Sequence, residues 1–158
     1  MSAYLVDECF RAEVEAKKWC RRRDGYLSRA VGRGTVLMHQ HVWQLAGRPL
    51  PELPLTIDHI NSNPSDNRLE NLRIATQRLQ NLNQVPKARS SGLPRGVLRS
   101  RKRYMAQIGV GGKSTYIGSY DTPEEASAAY EEARGREIAK ELEVVSQLSK
   151  APLLTRAR

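Results

Sequence analysis

Aromatic side chains are scarce in this 158-residue chain, at 6% with a single Phe, so its core must be mostly aliphatic. Cysteine is nearly absent, and Cys9 and Cys20 supply neither a disulfide framework nor a CxxC zinc site. No run of about 18 apolar residues occurs, which excludes a membrane-spanning segment, and mean hydropathy is −0.59. The opening MSAYLVDECFRAEV places acids where a signal peptide needs a basic and then an apolar stretch. These absences predict a soluble, reduced, cytoplasmic protein. One further absence is local: residues 84–118 contain eight Lys or Arg and no acid.

That stretch holds nearly all of the chain's net charge of +9. Residues 1–38 carry eight bases and five acids, residues 39–83 four of each, and residues 119–158 six bases and eight acids. A basic cluster of this kind is either a solvated surface or a polyanion-binding element, because clustered bases release counterions from phosphates. Gly92, Pro94, Gly96, Gly109, Gly111 and Gly112 break it too often for a basic amphipathic helix lying on a membrane.

The local patterns predict mixed helix and strand. A short helix is expected within residues 7–23, a turn at Arg23 to Tyr26, a hairpin at Gly32 to Gly34 and a helix over His41 to Leu45 ending at Gly47. Leu55-Thr56-Ile57 is a short β-like run, residues 61–67 (NSNPSDN) are dense in turn formers, and Thr76 can cap a polar helix. Residues 84–93 read as a linker. Beyond them Tyr104, Ala106, Ile108 and Val110 alternate with Arg103, Met105, Gln107 and Gly109, the period of a half-buried strand. Gly111-Gly112 is a hairpin signal. Thr115, Ile117 and Ser119 then alternate with Ser114, Tyr116 and Gly118 in a further strand. Thr122, Pro123 and Glu125 make a cap, a first helical residue and a capping box. Ala126, Ala129, Tyr130 and Ala133 form a small-residue face suited to packing on three strands. Residues 144–158 read as a tail.

All three histidines lie between residues 39 and 59. Asp58-His59 pairs a hard oxygen ligand with a base, but neighbouring side chains on a strand point to opposite faces. The two can share a site only at a strand end or bulge, which the following turn can provide.

The segment DHINSNPSDNRLENLR, within MHQHVWQLAGRPLPELPLTIDHINSNPSDNRLENLRIATQRLQN, resembles HNH endonucleases of the phage and intron homing type. Val6-Asp7, Trp19, Gly25-Tyr26 and Leu37-Met38-His39 also stand in the order of that family. The stretch SGLPRGVLRSRKRYMAQIGVGGKSTYIGSYDTPEEASAAY resembles the Apetala-two/ethylene-response-factor DNA-binding domain, three antiparallel strands packed on one helix. The resemblances imply an α+β chain. An N-terminal ββα-metal nuclease domain over 1–83 is followed by the linker at 84–93, the three-strand-plus-helix domain at 94–143 and the tail at 144–158.

By that resemblance His59 is the general base, Asp58 ligates a single Mg²⁺ or Mn²⁺, Asn71 braces the two strands, and His39 supports the site or touches phosphate. The closing ligand falls at Gln80 where the family has Asn or His, with Asn81 beside it as the alternative. The DNA-reading half crowds Arg95, Arg99, Arg101, Lys102 and Arg103 near its first hairpin, followed by Gln107, Lys113 and Tyr116. Arg103, Gln107 and Tyr116 are expected on the outward sheet face, with most bases on phosphate. The expected partner is double-stranded DNA, without a membrane, and a monomer is the simplest state. The alternative is a non-cleaving DNA-binding regulator with a degenerate nuclease site. An RNA-binding module is less consistent, because exposed aromatics for base stacking are few.

Overall fold

A computed structural model describes residues 4–84 and 92–150 of the chain. Two compact units, 1–84 and 85–158, make up the fold. Most of the linker expected at 84–93 and the last residues of the tail, 151–158, lie outside the described residues. No helix among the described residues is long and apolar enough to cross a membrane.

The first unit runs α1 (Glu8–Glu15), β1 (Cys20–Arg21), β2 (Leu27–Val31), β3 (Gly34–Leu37), α2 (Met38–Leu45), β4 (Thr56–His59), β5 (Leu72–Ala75) and α3 (Gln77–Asn83). β1, β2 and β3 form one antiparallel sheet, and β4 pairs with β5 in another. Its core gathers Val6, Val14, Leu27, Met38, Val42, Trp43, Ile57 and Leu72. Aliphatic side chains predominate, as the shortage of aromatics predicts. Trp43 is the aromatic exception, and its indole N–H is satisfied by the carbonyl of Pro49 at 2.9 Å. Thr76 caps α3 by accepting a hydrogen bond from the backbone N–H of Leu79 at 3.1 Å.

The second unit runs β6 (Val97–Ser100), β7 (Arg103–Val110), β8 (Lys113–Tyr120) and α4 (Pro123–Lys150). The three strands form an antiparallel sheet in sequence order, which packs on α4. Val97, Ala106 and Ile108 from the sheet, and Ala126, Tyr130 and Ala133 from the helix, are buried. The capping box forms: Thr122 Oγ1 accepts from the N–H of Glu125 at 3.2 Å, and Glu125 Oε2 accepts from the N–H of Thr122 at 3.4 Å.

Two expectations need correction here. The helix does not stop near residue 143 but continues to Lys150, since residues 144–150 contain no Pro or Gly. The alternation expected along β8 also fails at Ile117. Ala106 pairs with Gly118 whereas Gln107 pairs with Tyr116, so Ile117 is an extra, bulged residue. A one-residue bulge exchanges the two faces of a strand beyond it. Tyr116 therefore lies opposite Gln107, away from the helix.

Gly96 limits how closely α4 approaches β6. Its φ is +74°, and a Cβ there would sit 2.0 Å from the Tyr130 ring. Gly96→Ala is expected to destabilise the second unit by at least about 2 kcal/mol, from backbone strain and overpacking together. Urea unfolding followed by Tyr fluorescence checks this, and a wild-type midpoint would remove the packing argument.

Candidate functional site

β4 ends in Asp58 and His59, and β5 begins opposite them: Asp58 faces Arg73 and His59 faces Leu72 in the register. Between the strands runs the turn-rich segment 60–68. Asn71 holds that segment in place. Its Oδ1 accepts from the N–H of Asn61 at 3.0 Å, and its Nδ2 donates to Asn61 Oδ1 at 2.9 Å and to the carbonyl of Asp66 at 2.7 Å. Asp66 is itself buried and accepts from Asn61 Nδ2 at 2.9 Å and from Arg68 at 2.8 Å through both Nε and Nη2. The Arg68 guanidinium holds the Asp66 carboxyl below the usual carboxylate range. The N-terminal segment secures the same loop: the N–H of Asn67 reaches the carbonyl of Leu5, and the N–H of Leu69 reaches Asp7 Oδ2, both at 2.8 Å.

His59 is buried at 2% exposure. Its Nε2 lies 3.3 Å from Asn67 Oδ1, while its Nδ1 is buried with no hydrogen-bond partner among the described residues. With Oδ1 as acceptor, the proton resides on Nε2 and the lone pair on Nδ1. Burial pushes the His59 pKa down, against the opposing pull of Asn67, Asp58 and Asp66. The ring is thus kept neutral and able to accept a proton.

His39, in the first turn of α2, packs edge-on against His59 with ring centroids 5.1 Å apart. Burial, with His59 next in importance, pushes its pKa down to about 3. Tyr26 completes a three-ring cluster, 5.4 Å from His39 and 5.7 Å from His59. It reaches the site because Gly25 takes φ +88° and leaves room for Pro64, whose Cγ would be 2.9 Å from a Cβ there. The structure adds Tyr26 to the residues that sequence reasoning placed at the site. The signal for it was the Gly-Tyr pair at the end of an Arg-rich turn.

Asp58 is held more firmly than its sequence context implies. Arg73 donates to its Oδ2 from Nη2 at 3.0 Å and from Nε at 3.2 Å. Asn83 Nδ2 donates to the same oxygen at 3.3 Å and to the carbonyl of His59 at 2.8 Å. The two residues expected to close a metal site have other partners. Gln80 bonds through its amide to the Thr56 hydroxyl, and exposed Asn81 accepts from Gln77 Nε2 at 3.2 Å. The amide on Asp58 is Asn83, one helical turn beyond Gln80. Among the described residues only one oxygen of Asp58 is engaged, and an Asn amide turned about its bond presents an oxygen beside it. One carboxylate and one amide suit a hard cation that keeps waters and takes phosphate oxygens for its remaining positions. No group of three or more His, Cys, Asp or Glu able to hold a metal comes together among the described residues.

The eight candidate DNA-binding residues separate into two sets. Leu98 pairs with Met105, Met105 with Ser119 and Gln107 with Tyr116, so these five share the sheet face turned away from α4. Arg103 lies at the edge of that face. It is tied to Asp121 Oδ1 at 3.0 Å and to the carbonyl of Ser119 at 3.1 Å. Arg99, Arg101, Lys102 and Lys113 are exposed at the ends of the strands and in the β6–β7 turn. Arg95 is half-buried just before β6 and has a polar partner.

The depressed pKa of His39 has a stability consequence. Between pH 6.5 and about 3 its imidazole takes up a proton in the unfolded chain but not in the folded one. Stability is therefore full above that window and is lost as pH falls through it. His59 adds a change of the same sign. Urea unfolding at stepped pH is expected to show this loss, with a shallower slope in His39→Phe. An identical slope in the variant would remove His39 from the account.

Comparison with known proteins bears on the segment that carries these groups. Residues 36–82 match the family model described as HNH endonuclease. Over 68 residues the chain is 40% identical to Protein 3.8 of Escherichia phage T7, an alignment covering 42% of this chain and 54% of that protein. The chain thus spans about half the length of this curated relative. No solved structure matches it. The matched residues 36–82 contain His39, Asp58, His59 and Asn71.

Proposed function

We propose that the protein is a metal-dependent DNA endonuclease of the homing type, with its chemistry in the first unit and DNA targeting in the second. The observation that carries the reading is His59. It is a neutral imidazole whose Nδ1 is buried with no hydrogen-bond partner among the described residues, at a strand end beside a carboxylate. His59 Nδ1 accepts the proton of the attacking water while Asn67 retains the proton on Nε2. The water oxygen bonds to phosphorus as the bond to the 3′ oxygen breaks and that oxygen takes a proton from solvent, leaving a 5′-phosphate and a 3′-hydroxyl. Asp58 with Asn83 would hold a Mg²⁺ or Mn²⁺ ion, which would supply stabilisation of charge on the phosphate and the leaving oxygen. Asn71 fixes the loop on which Asn67 sits. His39 and Tyr26 hold the plane of the His59 ring and are positioning residues.

The second unit's three strands on one helix support an ethylene-response-factor-like targeting role. Its unpaired bases at the strand ends suit phosphate contacts. One observation favours the rival reading of a non-cleaving DNA-binding regulator. Arg73 already neutralises Asp58, and a cation must compete with that guanidinium.

A supercoiled-plasmid assay with Mg²⁺, Mn²⁺ or EDTA separates the two readings. Metal-dependent nicking is expected, falling by at least about 100-fold in His59→Ala, the contribution typical of a general base. Asp58→Asn is expected to weaken the response to metal concentration. Wild-type nicking by His59→Ala would remove the mechanism. DNA binding without nicking in either metal would favour the regulator.

A further inference from the structure

The sheet face opposite α4 in the second unit is unusual for a surface within a strongly basic stretch, because its centre carries no free charge. Leu98, Met105, Gln107 and Tyr116 occupy it, with Ser119 beside Met105. Tyr116 is 62% exposed and Leu98 37% exposed. The amide of Gln107 and the hydroxyl of Tyr116 have no hydrogen-bond partner among the described residues. Arg103, the one guanidinium at the edge of the face, is drawn off to Asp121 and the Ser119 carbonyl.

Two features indicate that this face is built rather than left over. The bulge at Ile117 brings Tyr116 to it, since a continuous alternation would place Tyr116 against the helix. At the β6–β7 turn, Arg101 holds φ +54°, a conformation that favours Gly or Asn, yet a long cation stands there. Arg101 and Lys102 lie at one end of β7 and Lys113 at the other, all exposed and with no ion-pair partner among the described residues. Cations thus border a neutral centre at both ends.

Resting on the reading of this unit as DNA-targeting, we infer that the Leu98–Met105–Gln107–Tyr116 face reads A·T base pairs in the major groove. The chemistry of the base edges decides this. Guanine is read by Arg or Lys, and none on this face is free to do so. Gln forms a bidentate pair with the N6 and N7 of adenine, and apolar groups meet the thymine methyl. Met105 and Gln107 point the same way about 6.6 Å apart, close to two base-pair steps. Gln107 meets adenine, and Leu98, Met105 and the Tyr116 ring meet thymine methyls. Arg101, Lys102 and Lys113 take phosphates on either side of the groove, fixing position without reading sequence.

The test measures binding of the full chain in EDTA, so no cleavage is needed, to fluorescent alternating poly(dA-dT) and poly(dG-dC) duplexes. Tighter binding to poly(dA-dT), by roughly 10-fold or more, is expected. Gln107→Arg is expected to move the affinity ratio toward poly(dG-dC), and Tyr116→Ala to bring it toward one. Lys102→Ala is expected to lower both affinities alike and leave the ratio unchanged. Both Tyr116 and Gln107 lie on the surface, and circular dichroism verifies that each variant is folded. Equal binding to the two polymers, a preference for poly(dG-dC), or a ratio unmoved by Gln107→Arg would overturn A·T reading while leaving DNA targeting standing. Binding to neither polymer would overturn both.

Discussion

Asn71 is the side chain on which the geometry of the first unit depends. Three hydrogen bonds from one buried amide tie the start of β5 to the beginning and end of the 60–66 turn. Each of those partners is polar, and Asp66 is almost fully enclosed. A buried polar group left without a partner costs about 1–3 kcal/mol. The loop is therefore stable only when the whole set of Asn61, Asp66, Arg68 and Asn71 closes together. His59 and Asn67 stand at the two ends of this closed loop, which makes their 3.3 Å contact a consequence of the latch.

The same burial that closes the loop sets the chemistry of the rings. His59, His39 and Tyr26 pack against one another, and desolvation is the largest influence on the ionisation of each. For the histidines it opposes protonation, and for the tyrosine it opposes ionisation. All three are therefore neutral near pH 7. Asp58 and Asp66 are the nearby anions, and Arg73 and Arg68 answer them directly. The site is thus balanced before any ligand arrives. A cation entering beside Asp58 gains less than it would beside an unpaired carboxylate, because the guanidinium must be displaced or share the oxygen.

What could be read from the sequence was local. The Thr122-Pro123-Glu125 start of α4, the Thr76 cap and the alternation along β7 all depend on residues within a few positions of one another, and all formed. The Asp58-His59 pair and Asn71 stood out in the sequence through the motif. Their partners did not. Asn83 reaches Asp58 across 25 residues of chain, and Asp7 reaches Leu69 across 62. Such contacts follow from how α3 lies on β4 and how the N-terminal segment crosses the loop, which periodicity does not encode. Gln80 and Asn81 were expected as ligands only from the family resemblance. The helix carries Gln80 to Thr56 and Asn83 to Asp58. The bulge at Ile117 was hidden for a different reason: Ser, Thr and Gly in β8 give too weak a burial pattern to reveal a change of phase.

On the proposed nuclease reading, the distribution of charge constrains how a polyanion would reach this site. Residues 39–83 contain four bases and four acids, so the segment that carries His59 has no net charge with which to attract a phosphate backbone. Two of its bases, Arg68 and Arg73, are already spent on Asp66 and Asp58. In residues 84–118 the bases face no acid of their own segment, and those described stand mainly at strand ends and turns. Placed there, they act over distances near the Debye length of about 10 Å at moderate salt, and they leave the strand faces free for neutral contacts. On the proposed nuclease reading, a phosphodiester would be drawn toward His59 by charge outside residues 39–83.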